Sequence, residues 1–303
     1  MKVLVTGANG FVATHIIKLL QEKNYEVNGT VRNLDRAPVI FEGVSYFAAD
    51  LTSASGWKDS MVGVDAILHV ASPLGHENSN DPKLIDEAVQ GVQHVFDAAH
   101  QAGIKRIIMT SSQAATTPLA STTGVIDETY WSDQHNPELN AYRLSKLAAE
   151  KKAWELAQKY DLALTTILPG AIFGKALTSN RSSNGVLDGI KRSRLVPKIT
   201  LEVTDVNDLA NLHLLALENN DTIGERILAK NTDLSFAQIS RIYGNQPIIV
   251  PDFALKFAAK FVGELRSLVP MLKRKYTHSN QKAIKLGWQP RDGRQTVLEA
   301  IEN

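Results

Sequence analysis

Apolar and polar positions follow two different patterns along the first half of the chain. Short apolar runs rich in Val, Ile and Leu are typical of buried strands. Between them, apolar residues recur at three- and four-residue spacing, which indicates amphipathic helices. The predicted strands are Lys2–Thr6, Glu26–Val31, Val44–Ala48, Ala66–Val70, Arg106–Thr110 and Leu162–Leu168, and the predicted helices are Phe11–Lys23, Pro82–Ala102 and Pro137–Tyr160.

Strands that alternate with helices predict a parallel sheet with helices on both faces. This is the doubly wound α/β architecture of the Rossmann fold. The third helix is expected to begin with Asn136 as its N-cap and Pro137 in its first turn.

After Pro169 the alternation ends, and the pattern predicts a smaller, mostly helical lobe. Residues 170–200 are rich in Gly, Ser, Asn and basic side chains and are expected to form a loop that faces the substrate. Residues 202–219 show a strand-then-helix pattern that is expected to rejoin the main sheet. We therefore predict a nucleotide-binding domain of residues 1–168, joined by 202–219, and a substrate-binding lobe of residues 169–201 and 220–303. Helices are expected in that lobe at 235–243, 252–268, 279–286 and 293–302.

A Gly-rich turn lies between the first predicted strand and the first predicted helix. Gly7 permits the tight turn, and Gly10 lets the backbone approach a pyrophosphate group. The N-terminus of the helix that follows supplies donors and a positive end for phosphates. The turn predicts a dinucleotide site, whose contacts are expected from Gly7, Asn9, Gly10, Phe11 and Val12.

The end of the second predicted strand indicates which dinucleotide is bound. Enzymes that use NAD usually carry an acid there, which binds the ribose hydroxyls. This strand is followed instead by Arg32, with Arg36 four residues later, and guanidinium groups suit a 2′-phosphate. The pattern favours NADP(H), although Asp35 keeps NAD open. From their location, further cofactor contacts are expected from Asp50, Leu51, Val70, Ala71 and Ser72.

A Tyr and a Lys four residues apart, Tyr142 and Lys146, indicate what is done with the cofactor. On a helix such residues project from one face. A phenol near its ordinary pKa of about 10 is a poor acid at neutral pH, and a neighbouring ammonium lowers that pKa. Together with the Gly-rich turn, the pair predicts redox catalysis with Tyr142 as the acid–base group.

Composition narrows the class of protein. The 303 residues are 44% hydrophobic and 21% charged, with a net charge of +1 and no cysteine. This balance argues against nucleic-acid and membrane partners and excludes thiol chemistry. No apolar run is long enough to cross a membrane and no secretory signal is evident, so a cytoplasmic protein is expected. The eight histidines show no metal-ligand spacing, and no metal is assigned.

Together these motifs resemble the extended short-chain dehydrogenase/reductase family. The resemblance extends to Thr110-Ser111-Ser112, Pro169-Gly170-Ala171-Ile172-Phe173-Gly174 and the stretch 203–213, in family order. Within the family, Thr30-Val31-Arg32 and Trp131-Ser132-Asp133 are most similar to the dihydroflavonol-reductase-like branch. That branch contains NADPH-dependent aldehyde, ketone and methylglyoxal reductases.

The resemblance implies a role for each matching residue. Tyr142 is the acid that protonates the forming alkoxide, and Lys146 binds the nicotinamide ribose and lowers the phenol pKa. Ser112 polarises the substrate carbonyl, with Ser111 as the lesser candidate. Pro169, Gly170 and Ile172 are expected to contact the cofactor. Many relatives have an Asn where this chain has Ala88, which puts a proton relay through that position in doubt.

The resulting expectation is an NADPH-dependent carbonyl reductase that acts on a small-molecule carbonyl substrate as a monomer or homodimer. Two alternatives are an NAD-dependent nucleotide-sugar epimerase or dehydratase and a non-catalytic NADP-sensing protein. The substrate pocket is expected to be lined by residues 73–82, 113–136 and 170–200. Tyr130 and Trp131 are placed either in the wall of that pocket or in hydrophobic cover for the sheet. The basic end of a later helix, Lys273-Arg274-Lys275, is expected to be solvated.

Overall fold

The computed structural model of the protein describes residues 1–73, 80–180, 184–266 and 268–301. The strands in this part of the chain are β1 (Lys2–Val5), β2 (Glu26–Val31), β3 (Ser45–Ala48), β4 (Ala66–His69), β5 (Arg106–Thr110), β6 (Thr123–Ile126), β7 (Ala163–Pro169), β8 (Ala171–Phe173), β9 (Leu195–Pro197), β10 (Thr200–Asp205), β11 (Arg226–Ala229), β12 (Thr232–Ser235), β13 (Ile248–Val250) and β14 (Lys275–His278). The α-helices are α1 (Phe11–Glu22), α2 (Trp57–Ser60), α3 (Lys83–Gln101), α4 (Ala141–Tyr160), α5 (Asn184–Arg192), α6 (Val206–Glu218), α7 (Phe236–Ile242), α8 (Asp252–Ala258), α9 (Gly263–Arg266), α10 (Gln281–Lys285) and α11 (Gly293–Glu299).

The main sheet has seven strands in the order β11-β7-β5-β4-β1-β2-β3, and every pairing is parallel. The strand order reverses between β4 and β1, so a crevice opens at their carboxyl ends. Parallel strands need crossover connections, and helices cover both faces of the sheet. The predicted doubly wound α/β fold is confirmed.

Two apolar layers hold the helices to this sheet. On one face, α1 and α6 pack together, and Ile16, Ile17 and Leu212 are almost fully buried there. On the other face, α3 packs along α4, with Val95 and Phe96 fully buried. Burying one such side chain stabilises the fold by about 1.5–3 kcal/mol. These layers fix the strand ends from which the site is built.

Three smaller sheets lie outside the main one: β12-β10-β8, β13-β9 and β14-β6. The expectation that the strand within residues 202–219 rejoins the main sheet is wrong, because β10 pairs with β8 and β12 instead. The helix of that segment, α6, does pack on the main sheet beside α1. The seventh strand of the main sheet is β11, which lies inside the range predicted for the substrate lobe.

The helix that carries the Tyr–Lys pair begins later than predicted. Asn140 is the N-cap of α4, and its side chain accepts a hydrogen bond from Arg143 N at 3.0 Å. Asn136 instead closes a separate turn, in which its side chain accepts from Glu138 N at 2.9 Å. Tyr142 therefore lies in the first turn of the helix, close to the strand ends.

Candidate active site

The Gly-rich turn follows β1 and is fixed to two neighbouring strands. Gly7 has a φ of 67°, in the left-handed region that favours glycine, and a Cβ there would lie 3.1 Å from Ala71. Gly7 N donates to Thr30 Oγ1 at 3.3 Å, and Ala8 N donates to Thr30 O at 2.8 Å. The turn is held against β2 and against the end of β4, as a nucleotide-binding turn requires.

A cavity of about 690 Å³ lies over this turn at the carboxyl ends of the parallel strands. Its volume is within the range of small-molecule and cofactor sites. The predicted site residues that line it are Gly7, Asn9, Gly10, Phe11, Val12, Arg32, Asp50, Leu51, Val70, Ala71, Ser72, Ser112, Tyr142, Lys146, Pro169, Gly170 and Ile172. Arg36 does not line it and lies exposed at the end of the short 3₁₀ helix Leu34–Arg36.

The end of β4 is tied to the end of β1 through a buried hydroxyl. Thr6 Oγ1 accepts hydrogen bonds from Val70 N and Ala71 N, both at 3.0 Å, and lies 2.9 Å from His69 Nδ1. Burial lowers the pKa of His69 to about 4, so its ring is neutral at physiological pH. These bonds set the segment from Val70 to Ser72 along the cavity.

Arg32 and Asp50 stand together at the end of the cavity beyond β2. Asp50 Oδ1 accepts from Thr52 N and Thr52 Oγ1, both at 2.8 Å. These bonds and the charge of Arg32 lower the pKa of the Asp50 carboxyl. Arg32 is exposed, and within the described ranges no carboxylate forms an ion pair with it. This end of the cavity therefore carries a cation that is available to an anionic ligand.

Lys146 is buried and directed at the end of β4. Its Nζ donates to Ser72 Oγ at 2.6 Å and lies 5.5 Å from the centroid of the Tyr142 ring. Burial lowers the pKa of Lys146 to about 8. The bond to Ser72 joins residues 74 positions apart, so no local sequence pattern indicates it.

The pKa of the Tyr142 phenol is raised, not lowered as the spacing of Tyr142 and Lys146 and the resemblance implied. Burial raises it, because the charged phenolate is poorly solvated there, and the opposing influence is the charge of Arg143. The pair still shares one face of α4, as predicted. At neutral pH, Tyr142 therefore holds its proton.

The two serines after β5 are directed differently. Ser111 is buried, and its hydroxyl donates to Glu150 Oε2 at 2.7 Å. Ser112 is partly exposed and lines two cavities, while its Oγ accepts from Ala114 N at 3.2 Å. Because the Ser112 hydroxyl is the acceptor in that bond, it can still donate its own proton to another group. Of the two serines, Ser112 is therefore the one with a hydroxyl proton available in the cavity.

A second, smaller cavity of about 240 Å³ adjoins the first. Ser112, Tyr142, Pro169 and Gly170 line both cavities. Gly170 is required at the border, because a Cβ there would lie 2.3 Å from Glu202 O. Ser112 and Tyr142 thus stand where the two cavities meet.

Most of the polar wall of the second cavity was missed by sequence analysis. The charged and ring-bearing side chains in this wall that were not predicted are Arg143, Glu202, Arg274, Tyr276 and His278. Arg143 directly follows Tyr142, and this adjacency was a usable signal. The others come from β10, from β14 and from Arg274 just before β14, which no local pattern connects to the Tyr–Lys helix. Lys273 and Lys275 are exposed as expected, but Arg274 turns inward and pairs with Glu202.

Some residues of the three segments predicted to line the substrate pocket do line the cavities. Pro73, Asp81 and Asn180 line the first cavity, and Gln113 and Thr117 line the second. Residues 74–79 of the predicted segment 73–82 lie outside the described residues.

Trp131 does not line either cavity. Its ring lies 3.6 Å from the Arg226 guanidinium and packs against Leu147, Leu168 and Leu228. It therefore covers the sheet, which was the second of the two expectations for it.

In the described part of the chain no helix is long and apolar enough to cross a membrane. Nor do three His, Asp or Glu side chains in these ranges form a group that could hold a metal ion.

A doubly wound sheet with a Gly-rich turn at its switch point defines a Rossmann-fold nucleotide-binding protein. Residues 3–228 match the model of the NAD dependent epimerase/dehydratase family, and the chain belongs to that family. This confirms the resemblance to the extended short-chain dehydrogenases/reductases and to their dihydroflavonol-reductase-like branch.

Three relatives illustrate the similarity. Cinnamoyl-CoA reductase 1 of Oryza sativa subsp. japonica is 33% identical over 99% of this chain and 89% of its own length. Anthocyanidin reductase of Vitis vinifera is 34% identical over 76% of this chain and 77% of its own. The crystal structure of Gre2 from Candida albicans in complex with NADPH superposes with a TM-score of 0.81 at 27% identity, over 100% of this chain and 98% of that one. The protein is thus an NAD(P)-dependent reductase of the extended short-chain family.

Proposed function

We propose that this protein is an NADPH-dependent carbonyl reductase, which converts an aldehyde or ketone to an alcohol reversibly. The observation that carries the proposal is the place of Ser112 and Tyr142 at the meeting point of the two cavities. The larger cavity has the size and the Gly-rich turn of a dinucleotide site, and the smaller has room for a carbonyl compound. Tyr142 holds its proton, as the acid of a reduction must.

The residues present fit a dinucleotide at the larger cavity. Gly7 gives the turn, the N-terminus of α1 gives phosphate donors, and Arg32 offers an exposed guanidinium at the end of the cavity. Bound NADPH would supply a hydride to the carbonyl carbon.

The chain's own groups act on the carbonyl oxygen. Ser112 donates a hydrogen bond to that oxygen, which stabilises the negative charge that develops on it. Tyr142 gives its proton to the same oxygen, so that the product leaves as the neutral alcohol. Lys146 is held by Ser72 beside the Tyr142 ring. Its ammonium would bind ribose hydroxyls of the cofactor there.

The first test follows NADPH and NADH consumption with a panel of aldehydes, ketones, diketones and ketoesters. We expect turnover with preference for NADPH, because Arg32 stands where NAD enzymes place an acid. Arg32→Ser should lower kcat/KM for NADPH about tenfold to a hundredfold and leave that for NADH nearly unchanged.

Arg36→Ser is the matched control for Arg32→Ser, because Arg36 follows the same strand but does not line the cavity. Equal losses in both variants would contradict the role of Arg32. Protein that retained NAD and failed to consume NADPH with any carbonyl would favour the nucleotide-sugar alternative. Cofactor binding without any turnover would favour the sensing alternative.

The pH dependence of cofactor capture tests Lys146. Its pKa of about 8 means that the ammonium is present below that pH and is lost as the pH rises through it. The pH dependence of kcat/KM reports the pKa values of groups in the free enzyme. We therefore expect kcat/KM for NADPH to be constant below about pH 8 and to fall above it. In Lys146→Arg the guanidinium stays charged, so the fall should move to higher pH. An alkaline limb that is identical in both proteins would contradict the assignment.

A further inference from the structure

Arg143 is a cation at the second cavity without an anionic partner. It is partly buried, and its Nη1 donates to Thr117 Oγ1 at 3.3 Å. Among the described residues no carboxylate forms an ion pair with it. Burial lowers the pKa of Arg143, and the positive charge of the neighbouring Arg274 lowers it further. A desolvated guanidinium without a counter-ion is costly for a protein to maintain.

The carboxylate in the same cavity, Glu202, does not neutralise Arg143. Its Oε1 accepts from His278 N at 2.6 Å, and its Oε2 lies 2.7 Å from His278 Nδ1. The same oxygen forms an ion pair with Arg274. These contacts and charges hold the pKa of Glu202 well below its usual range. Glu202 thus already has cationic partners in Arg274 and, at 3.9 Å, Lys230, whereas Arg143 has no carboxylate partner among the described residues.

We propose that the second cavity binds the anionic end of the substrate, and that the substrate class is short-chain carbonyl compounds bearing a carboxylate. This inference rests on the reductase function proposed above, and it names Arg143 as the residue that recognises the carboxylate. A guanidinium matches a carboxylate in shape and charge, and such charge-assisted hydrogen bonds are stronger than neutral ones. At about 240 Å³ the cavity is smaller than the usual range for drug-sized ligands, which favours a short chain between carbonyl and carboxylate. Arg143 directly follows Tyr142, so the carbonyl oxygen and the carboxylate are recognised by neighbouring residues.

The test compares acids with their own methyl esters, which differ mainly in charge. The substrates are pyruvate, acetoacetate and levulinate and the corresponding methyl esters, with NADPH as reductant. We expect kcat/KM for at least one acid to exceed that of its ester by about tenfold or more. Arg143→Met should abolish this preference, and Arg143→Lys should restore part of it. Since the acid-to-ester ratio is taken within each variant, an effect of Arg143 on the Tyr142 pKa cancels.

Lys151→Met is the matched control, because Lys151 is an exposed cation on the same helix and lines neither cavity. It should keep the wild-type acid-to-ester ratio. The inference would be overturned if the wild type reduced the esters as well as the acids and Arg143→Met had the same acid-to-ester ratio. The reductase function would still stand in that case.

A binding measurement separates failure of the inference from failure of the proposed function. Levulinate is titrated calorimetrically into wild-type and Arg143→Met protein in the presence of NADP⁺, so that no reduction takes place. Binding to the wild type that is lost in Arg143→Met supports the anion site even if no carbonyl is reduced. Equal binding to both proteins, or none to the wild type, overturns it.

Discussion

Replacement of Tyr142 by Phe is expected to lower kcat for carbonyl reduction by about a hundredfold to ten-thousandfold, which is the usual contribution of a general acid. The change removes only the hydroxyl group and keeps the ring beside Lys146. NADPH affinity should stay nearly unchanged, because the Lys146–Ser72 bond and the Gly-rich turn are untouched. The two measurements are kcat under saturating substrate and NADPH binding by fluorescence titration.

Tyr160→Phe is the control for Tyr142→Phe. Tyr160 ends the same helix, and its hydroxyl donates to Asp97 Oδ1 at 2.6 Å. Because the acceptor is a carboxylate, loss of this bond should cost about 1.5–3 kcal/mol of stability and leave kcat unchanged. Near-normal turnover in Tyr142→Phe would show that another group protonates the alkoxide, and Ser112 would be the first candidate.

The first cavity could be predicted because its signals are local. A glycine with positive φ, a helix N-terminus and residues at strand ends are each specified by a few neighbouring residues. The parallel sheet then brings these separate strand ends to one edge, and the residues that were named from single motifs line one cavity. Arg36 is the exception. It lies in the 3₁₀ helix that follows β2, so the direction of its side chain is determined by that helix and not by the strand.

The second cavity could not be predicted because it depends on pairings between distant segments. β14 pairs with β6, and Tyr276 and His278 of β14 line the same cavity as Ser112. Lys275 pairs with Thr123 in that register, across some 150 residues of sequence. Alternation alone also could not show that Arg274 turns inward between two exposed lysines. Arg274 is directed inward by its ion pair with Glu202, a residue that is distant in sequence and comes close only in the folded protein.

A buried ion pair beneath the site also could not be predicted, because it joins segments that are distant in sequence. Glu150 of α4 is fully buried, and Arg226 of β11 donates from Nε to its Oε1 at 2.8 Å. Arg226 Nη1 also donates to Glu128 O at 2.6 Å and to Tyr130 O at 2.8 Å. Glu150 accepts in addition from Ser111 Oγ, the neighbour of Ser112. The pair thus ties a helix, a strand and a loop to the end of β5.

Arg226→Met is expected to destabilise the protein by about 3–5 kcal/mol, because it leaves the Glu150 carboxylate buried and unpaired. The free energy of unfolding is measured by urea denaturation. Lys18→Met is the control, since Lys18 and Glu22 are exposed and 3.7 Å apart, and it should cost less than about 1 kcal/mol.

The double variant Arg226→Met with Glu150→Met distinguishes the two possible origins of that loss. If the cost of Arg226→Met comes from an unpaired buried charge, removing that charge as well should recover much of the stability. If it comes instead from the bonds that Arg226 makes to Glu128 and Tyr130, the double variant should be no more stable than the single one. A single variant no less stable than Lys18→Met would contradict both explanations. Because Ser111 loses its acceptor only when Glu150 is replaced, a fall in kcat confined to the double variant would show that this buried bond also positions Ser112.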